Sequence, residues 1–175
     1  AVLTSMKIIN VDKCIAGDHV ALKLFYQQIA GPVLSVAFNI LGDKALAEDV
    51  LHDVYIKSIA NLEKWDKKSK INTWVYKIAI NECLGFRRRC QRWLRIEKTL
   101  SEGAQSTAPV DYESMQIAEN FLFSLNDKTR AIVVLKHVSG LSFDEISRVM
   151  SMPEGTVKSI CSRALKREAK RLEKQ

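Results

Sequence analysis

Along most of this chain apolar residues recur at three- and four-residue steps, the spacing that gathers side chains on one face of an α-helix. Asp18 is placed to cap a first helix carrying Val20, Ala21, Leu24, Phe25 and Ile29. Gly31-Pro32 is expected to break it, since proline has no N–H to continue the ladder. Val33, Leu34, Val36, Ala37, Ile40 and Leu41 then form a second helix, closed by Gly42 in the left-handed position. Asp43 caps a long third helix, whose apolar positions are Ala47, Val50, Leu51, Val54, Ile59 and Leu62. Asp49, His52, Asp53 and Lys57 fall on its other side. The stretch "WDKKSKIN" (Trp65 to Asn72) is polar, basic and without apolar period, and reads as a loop. Asn72 or Thr73 is expected to cap the next helix, with Trp74, Val75, Ile78 and Ala79 as its buried stripe. Beyond Gly85 that helix turns basic, at Arg87, Arg88, Arg89, Arg92 and Arg95.

From Lys98 to Asp111 the texture changes to "KTLSEGAQSTAPVD", small and polar, with no apolar stripe. This is a predicted interdomain linker; fully extended it reaches about 45–50 Å. Helical period resumes at Tyr112 with Met115, Ala118, Phe121 and Leu122. Asn126 is expected to cap a helix containing Ile132, Val133, Leu135 and Val138, closed by Gly140. Ser142 followed by Glu145 is a capping box that starts a short helix with Phe143, Ile146, Val149 and Met150 on one face. "SMPEG" makes a turn, and Pro153 suits the start of a second helix. That helix is expected to bury Val157, Cys161, Ala164, Leu165 and Leu172, leaving Lys158, Ser159, Ser162, Arg163 and Lys166 outside. Pattern alone leaves two readings open: a helical hairpin with a solvated basic face, or a helix-turn-helix whose second helix enters a DNA groove.

Composition narrows the choice. A chain of 175 residues with 47% hydrophobic content can build one or two packed cores, and 7 glycines and 3 prolines favour helices over a turn-rich β fold. The expected fold is all-α: two small helical domains joined by a flexible linker. No apolar run approaches the ~20 residues that span a bilayer, and the N-terminus lacks the pattern of a cleaved signal. Ala1 to Ser5, ahead of Met6, are set aside as an added leader. Cys14, Cys83, Cys90 and Cys161 form no CxxC pair, so no structural zinc is expected, and reduced cysteines suit a cytoplasmic protein. No Ser/His/Asp set, paired acids in a cleft or phosphate-cradling glycine loop is present; neither an enzyme nor a cofactor is expected. The net charge of +7 points to an anionic partner. Residues 1–98 carry sixteen lysines and arginines against ten acids, while residues 99–175 carry eleven against ten. In the C-terminal half the positive charge is concentrated after Thr156, which favours the DNA-binding reading.

Three segments in order complete a resemblance. "LGDKALAEDVLHDVYIKSI" (Leu41 to Ile59), "INTWVYKIAINE" (Ile71 to Glu82) and "GLSFDEISRVMSMPEGTVKSICSRALKR" (Gly140 to Arg167) resemble the second-domain core segment, the promoter-melting segment and the fourth-domain helix-turn-helix of the extracytoplasmic-function (ECF) sigma factors. The match runs from about Asp18 over nearly the whole chain. It implies a sigma second domain at residues 7–97, a linker at 98–111 and a sigma fourth domain at 112–175. It also implies a subunit that directs core RNA polymerase to promoters and promotes melting, with an anti-sigma factor as inhibitory partner.

The resemblance assigns roles. Asp49, His52 and Asp53 would bind core polymerase, with His52 and Asp53 standing where the family more often has Gln and Glu. Asn72, Lys77, Asn81 and Arg88 would handle the −10 element; Asn81 aligns with the base-reading Asn, and an amide offers a donor and an acceptor together. Trp74 and Tyr76 are aromatic groups able to stack on bases, Trp74 being favoured as core. Ile71 sits where the family often has an aromatic residue. Lys158, Ser159, Ser162, Arg163 and Lys166 would meet the −35 duplex, with Ile160 and Leu165 at positions usually held by arginine. Two rivals make different demands. A plain two-domain DNA-binding regulator needs a dimerisation face, and a basic protein-interaction module needs no sequence preference.

Overall fold

The computed structural model describes residues 10–67, 69–100 and 115–173. Its helices are α1 (Val11–Ile15), α2 (His19–Leu41), α3 (Lys44–Ala60), α4 (Ile71–Leu100), α5 (Met115–Ser124), α6 (Asp127–His137), α7 (Phe143–Met150) and α8 (Glu154–Leu172), with a 3₁₀ turn at Leu62–Lys64. No strand occurs among the described residues, so the all-α fold expected from the sequence is the observed one. Residues 101–114, most of the expected linker, and residues 1–5, set aside above, lie outside the described residues.

Side chains set the helix boundaries. Asp18 Oδ1 accepts the Ala21 N–H at 2.8 Å and Asp43 Oδ1 the Leu46 N–H at 2.8 Å. Asn126 Oδ1 accepts the Thr129 N–H at 3.0 Å. Each satisfies one of the orphan donors of a first helical turn. The capping box is complete: Ser142 Oγ accepts from the Glu145 N–H at 3.2 Å, and Glu145 Oε2 accepts from the Ser142 N–H at 2.9 Å. The Ser142 N–H, with burial opposing and Lys70 assisting, holds the Glu145 carboxyl below its ordinary range.

Several expectations are corrected. Gly31-Pro32 does not end a helix: α2 runs unbroken for 23 residues with Pro32 inside. A proline inside a helix lacks the N–H for the carbonyl four residues back and crowds that carbonyl, and it also crowds the preceding residue's Cβ, which Gly31 lacks. The buried stripe Ala21, Phe25, Ile29, Val33, Val36, Ala37 and Ile40 passes straight through the site, so packing offsets the missing bond. At this length, and with a mean hydropathy of 1.3, α2 is long and apolar enough to cross a membrane, contrary to expectation; that stripe, however, is packed into the core. The fourth helix starts at Ile71, ahead of both Asn72 and Thr73, and continues to Leu100, into the segment expected to be linker. Its buried apolar residues are Val75, Tyr76, Ala79, Ile80 and Cys83, with Thr73 buried beside them, a stripe turned from the expected one, and Trp74 and Ile78 are only half-buried. Val138 lies past the end of α6 and is exposed, and Leu165 and Leu172 are exposed on α8.

Helices α2, α3 and α4 pack together as the first body, around Phe25, Ile29, Val54 and Ile80. Helices α6, α7 and α8 form the second, around Ile132, Leu135, Ile146 and Val157. The two bodies are docked: α2 touches α5 and α6, and α4 touches α6 and α7. Buried residues form one continuous apolar cluster through the contact.

Arg130 is at the centre of the joint, 2% exposed. Its Nε donates to Leu122 O at 2.7 Å, its Nη2 to Phe123 O and Leu125 O at 3.1 Å, and its Nη1 to Ile40 O at 2.8 Å. Ile40 is in the last turn of α2, where carbonyls lack helical partners and the helix dipole is negative. Burial, and then the neighbouring Arg87, lower the Arg130 pKa to about 10, which still leaves it charged at neutral pH. Gly42, at φ 75°, lets Phe123 approach: a Cβ there would meet its ring at 2.6 Å. Arg87 Nε pairs with Asp127 at 2.5 Å beside this joint.

Candidate nucleic-acid interface

Two turns of α4 carry the first candidate surface. Lys77 and Asn81 are one turn apart and both exposed. With the 100° helical step, Arg88 falls on nearly the same line, roughly 10 Å beyond Asn81. Lys77 and Asn81 open onto a cleft of about 480 Å³ shared with Lys57, Asn61, Lys64, Trp74, Ile78 and Glu82. One wall is fixed by Lys57, whose Nζ meets Glu82 at 2.6 Å, and the floor by the half-buried Trp74 and Ile78. The cleft therefore joins flat apolar surface to two amides and three ammonium groups, one of them paired with Glu82, which suits a base and its phosphates.

The structure does not bring Asn72 to this line. Nine residues from Asn81, Asn72 faces the opposite side of the helix. Its Oδ1 accepts from Gln28 Nε2 at 3.1 Å, tying α4 to α2. Tyr76 is likewise unavailable for stacking, being only 8% exposed. Burial raises its hydroxyl pKa, and Ser139 beside it pulls the other way.

On α8 the second candidate surface is continuous. Val157, Cys161 and Ala164 turn inward, so Lys158, Ser159, Ser162, Arg163 and Lys166 share the solvent face. Pro153 is the N-cap, with no side-chain bond to the first turn, so no side chain covers the start of α8, while the Thr156 and Val157 N–H groups donate to Pro153 O at 3.0 and 3.1 Å. Arg163 is held along the helix by bonds to Ser159 O at 3.1 Å and Ser159 Oγ at 3.3 Å, and Lys158 by Glu154 at 2.7 Å. Such exposed partners exchange readily for phosphate or a base edge. The tight turn before α8 needs Ser151 at φ 52°, which the sequence did not announce.

A third surface is acidic. Asp49, His52 and Asp53 are exposed together on α3, opposite Ala47, Val50, Leu51 and Val54. Missed from the sequence were Arg130, Lys70 and Arg148. Lys70 Nζ meets Glu145 at 3.1 Å, and Arg148 lines a cleft of about 450 Å³ with Trp74 and Lys77. Arg130 had one sequence signal, a cation inside the apolar run "RAIVVL"; the others depend on contacts between the two bodies.

An all-α body with an amide- and lysine-lined cleft, coupled to a helix-turn-helix with a basic outer face, defines a two-part reader of nucleic acid. Residues 25–94 match sigma-70 region 2 and residues 116–167 match sigma-70 region 4, so the class is that of the sigma-70 transcription initiation subunits. Similar proteins include the ECF RNA polymerase sigma factor SigW of Bacillus subtilis (strain 168), 29% identical over 157 residues, with 82% of this chain and 84% of that one covered. The ECF RNA polymerase sigma-E factor of Escherichia coli (strain K12) is 28% identical over 170 residues, covering 88% and 87%. The fold is shared with the sigma factor RpoE in complex with the anti-sigma factor NepR from Bartonella quintana, at TM-score 0.71, 21% identity, and 86% and 96% coverage. It is shared also with CnrH in complex with the cytosolic domain of CnrY, at TM-score 0.70, 16% identity, and 94% and 96% coverage. This chain belongs to the ECF sigma factors, and its function is promoter recognition and transcription initiation with RNA polymerase.

Proposed function

We propose a division of that function among the three surfaces. Residues 7–97 act as the second domain, 112–175 as the fourth, and 98–111 as the tether. Asp49, His52 and Asp53 seat the chain on core polymerase, their carboxylates meeting arginines of the partner. Lys158, Ser159, Ser162, Arg163 and Lys166 meet the −35 duplex, phosphate contacts setting register and Arg163 reading a base edge. Lys77 and Arg88 hold the unpaired −10 strand while Asn81 reads a base lifted into the cleft beside Trp74. Asn72 positions α4 through Gln28 rather than touching DNA. The chain supplies no catalysis of its own and acts in the cytoplasm, where its polymerase works. An anti-sigma factor restrains it; the similar fold of RpoE is itself in complex with the anti-sigma factor NepR.

The observation that carries this reading is the alignment of Lys77, Asn81 and Arg88 along one face of α4, over an open cleft. A holoenzyme with Asn81→Ala is expected to assemble normally and to melt promoter DNA poorly, read as reduced permanganate reactivity of −10 thymines. Reactivity equal to wild type removes the base-reading assignment.

A further inference from the structure

We propose that His52 makes the seating of this chain on core polymerase depend on pH, the affinity falling as the imidazole takes up a proton. This rests on the assignment of the exposed face of α3 to polymerase. With the 100° helical step, Asp49 and Ile56 lie on nearly one line along that face. His52 and Asp53 stand on either side of the line, each within about a turn of both. All four are exposed, Ile56 by 51%. Among the described residues, no side-chain hydrogen bond or ion pair engages Asp49, His52 or Asp53. The face therefore offers two unpaired carboxylates and one apolar group with an imidazole between them.

Of the chain's three histidines, His19 opens α2 and His137 closes α6, so His52 alone belongs to this face. The elements packed on α3 are α2, α4 and the 3₁₀ turn at Leu62–Lys64. Helix α2 brings His19 and Lys23 in its first two turns, and its Tyr26 packs edge-on against Tyr55 of α3 at 5.1 Å. Glu82 of α4 is taken up by Lys57 at 2.6 Å, Lys77 opens onto the cleft beyond it, and Arg87 pairs with Asp127. The turn adds Glu63 and Lys64, with Lys64 Nζ bonded to Asn61 at 2.8 Å. On α3 itself Glu48 is paired with Lys44 at 3.9 Å. Carboxylates and ammonium groups ordinarily keep their charge between about pH 5 and 8, whereas an imidazole does not.

Neutral, His52 adds a polar edge to a face of negative charge. Protonated, it sets a cation within about a turn of each carboxylate and cancels one of their two charges. It also turns like charge toward the arginines those carboxylates are suited to meet. Ile56 adds to the difference. A partner that covers it takes water from the imidazole beside it, and a charged ring loses more in that transfer than a neutral one. The bound state therefore holds fewer protons than the free chain. Affinity is full above the ordinary imidazole pKa of about 6.5 and declines as pH falls through it. Linkage to one proton limits the loss to about tenfold per pH unit.

Fluorescence anisotropy of the dye-labelled chain, titrated with core polymerase at constant ionic strength, tests this. Wild type is expected to bind roughly fivefold more weakly at about pH 5.8 than at about pH 7.5. His52→Gln keeps a polar edge with no proton to gain. It is expected to remove that ratio, leaving only what the polymerase's own titration contributes. His52→Lys carries a cation at both pH values and is expected to bind several-fold more weakly than wild type at the higher one. A wild-type ratio no greater than that of His52→Gln overturns the proposal, and so does His52→Lys binding as tightly as wild type at the higher pH. Failure of the polymerase assignment itself shows separately, as undiminished binding by Asp49→Arg. Failure of the pH dependence by itself leaves Asp49→Arg weak and the wild-type ratio flat.

Discussion

Arg130 and Arg163 illustrate how differently the same side chain is used. Arg130 is buried, donates to four carbonyls and sits 4.4 Å over the Phe123 ring. Its role is architectural, and its burial keeps it from DNA. Arg163 is exposed and bonded only within its own helix turn, so its guanidinium can leave Ser159 for a guanine edge at small cost. Arg163→Ala is therefore expected to weaken −35 duplex binding by about 1–3 kcal/mol and to relax preference at one base position. Holoenzyme binding to a set of single-base −35 variants measures both effects.

Among the elements, α7 is the most dependent on its cap. It has only eight residues, with Ile146 and Val149 as its buried anchors, too few for a helix to persist on propensity alone. Ser142→Ala removes one half of the capping box and is expected to lower stability by about 1 kcal/mol. Urea unfolding of the two proteins checks this as a shift of midpoint at constant slope. The other half depends on pH. Glu145 has its folded pKa depressed, so its stabilising effect is present above the unfolded carboxylate value and is lost as pH falls through the folded one. Helix α2 is the opposite case: its buried stripe is long enough to carry a proline through its middle.

For the whole molecule, the charge distribution matters more than its sum. A net charge of +7 coexists with an acidic patch on α3 and with carboxylates of α6 and α7 set against cations of the second domain. Asp49→Arg puts a cation in the middle of the patch. It is expected to weaken the complex with core polymerase at least tenfold, since like charges replace a paired contact. Co-elution with core polymerase over a salt series checks the loss, and undiminished co-elution moves the polymerase contact elsewhere.

By itself the sequence determined the all-α class, the caps at Asp18, Asp43, Asn126 and Ser142, and the outward face of α8. Each depends on residues within a turn or two of one another, where helical period and capping chemistry act directly. The same local logic failed at Gly31-Pro32, because a core stripe formed by distant residues outweighed a local breaker. The resemblance, not local pattern, set Asn72 and Tyr76 beside a DNA surface; in the fold Asn72 bonds Gln28 and Tyr76 is buried. Only the tertiary structure decided the turn of the α4 stripe, the seat of Arg130 on the end of α2, and the pairing of Lys70 with Glu145. These contacts join residues from widely separated parts of the chain, and their energy comes from burial and charge brought together by folding. No spacing along the chain encodes that.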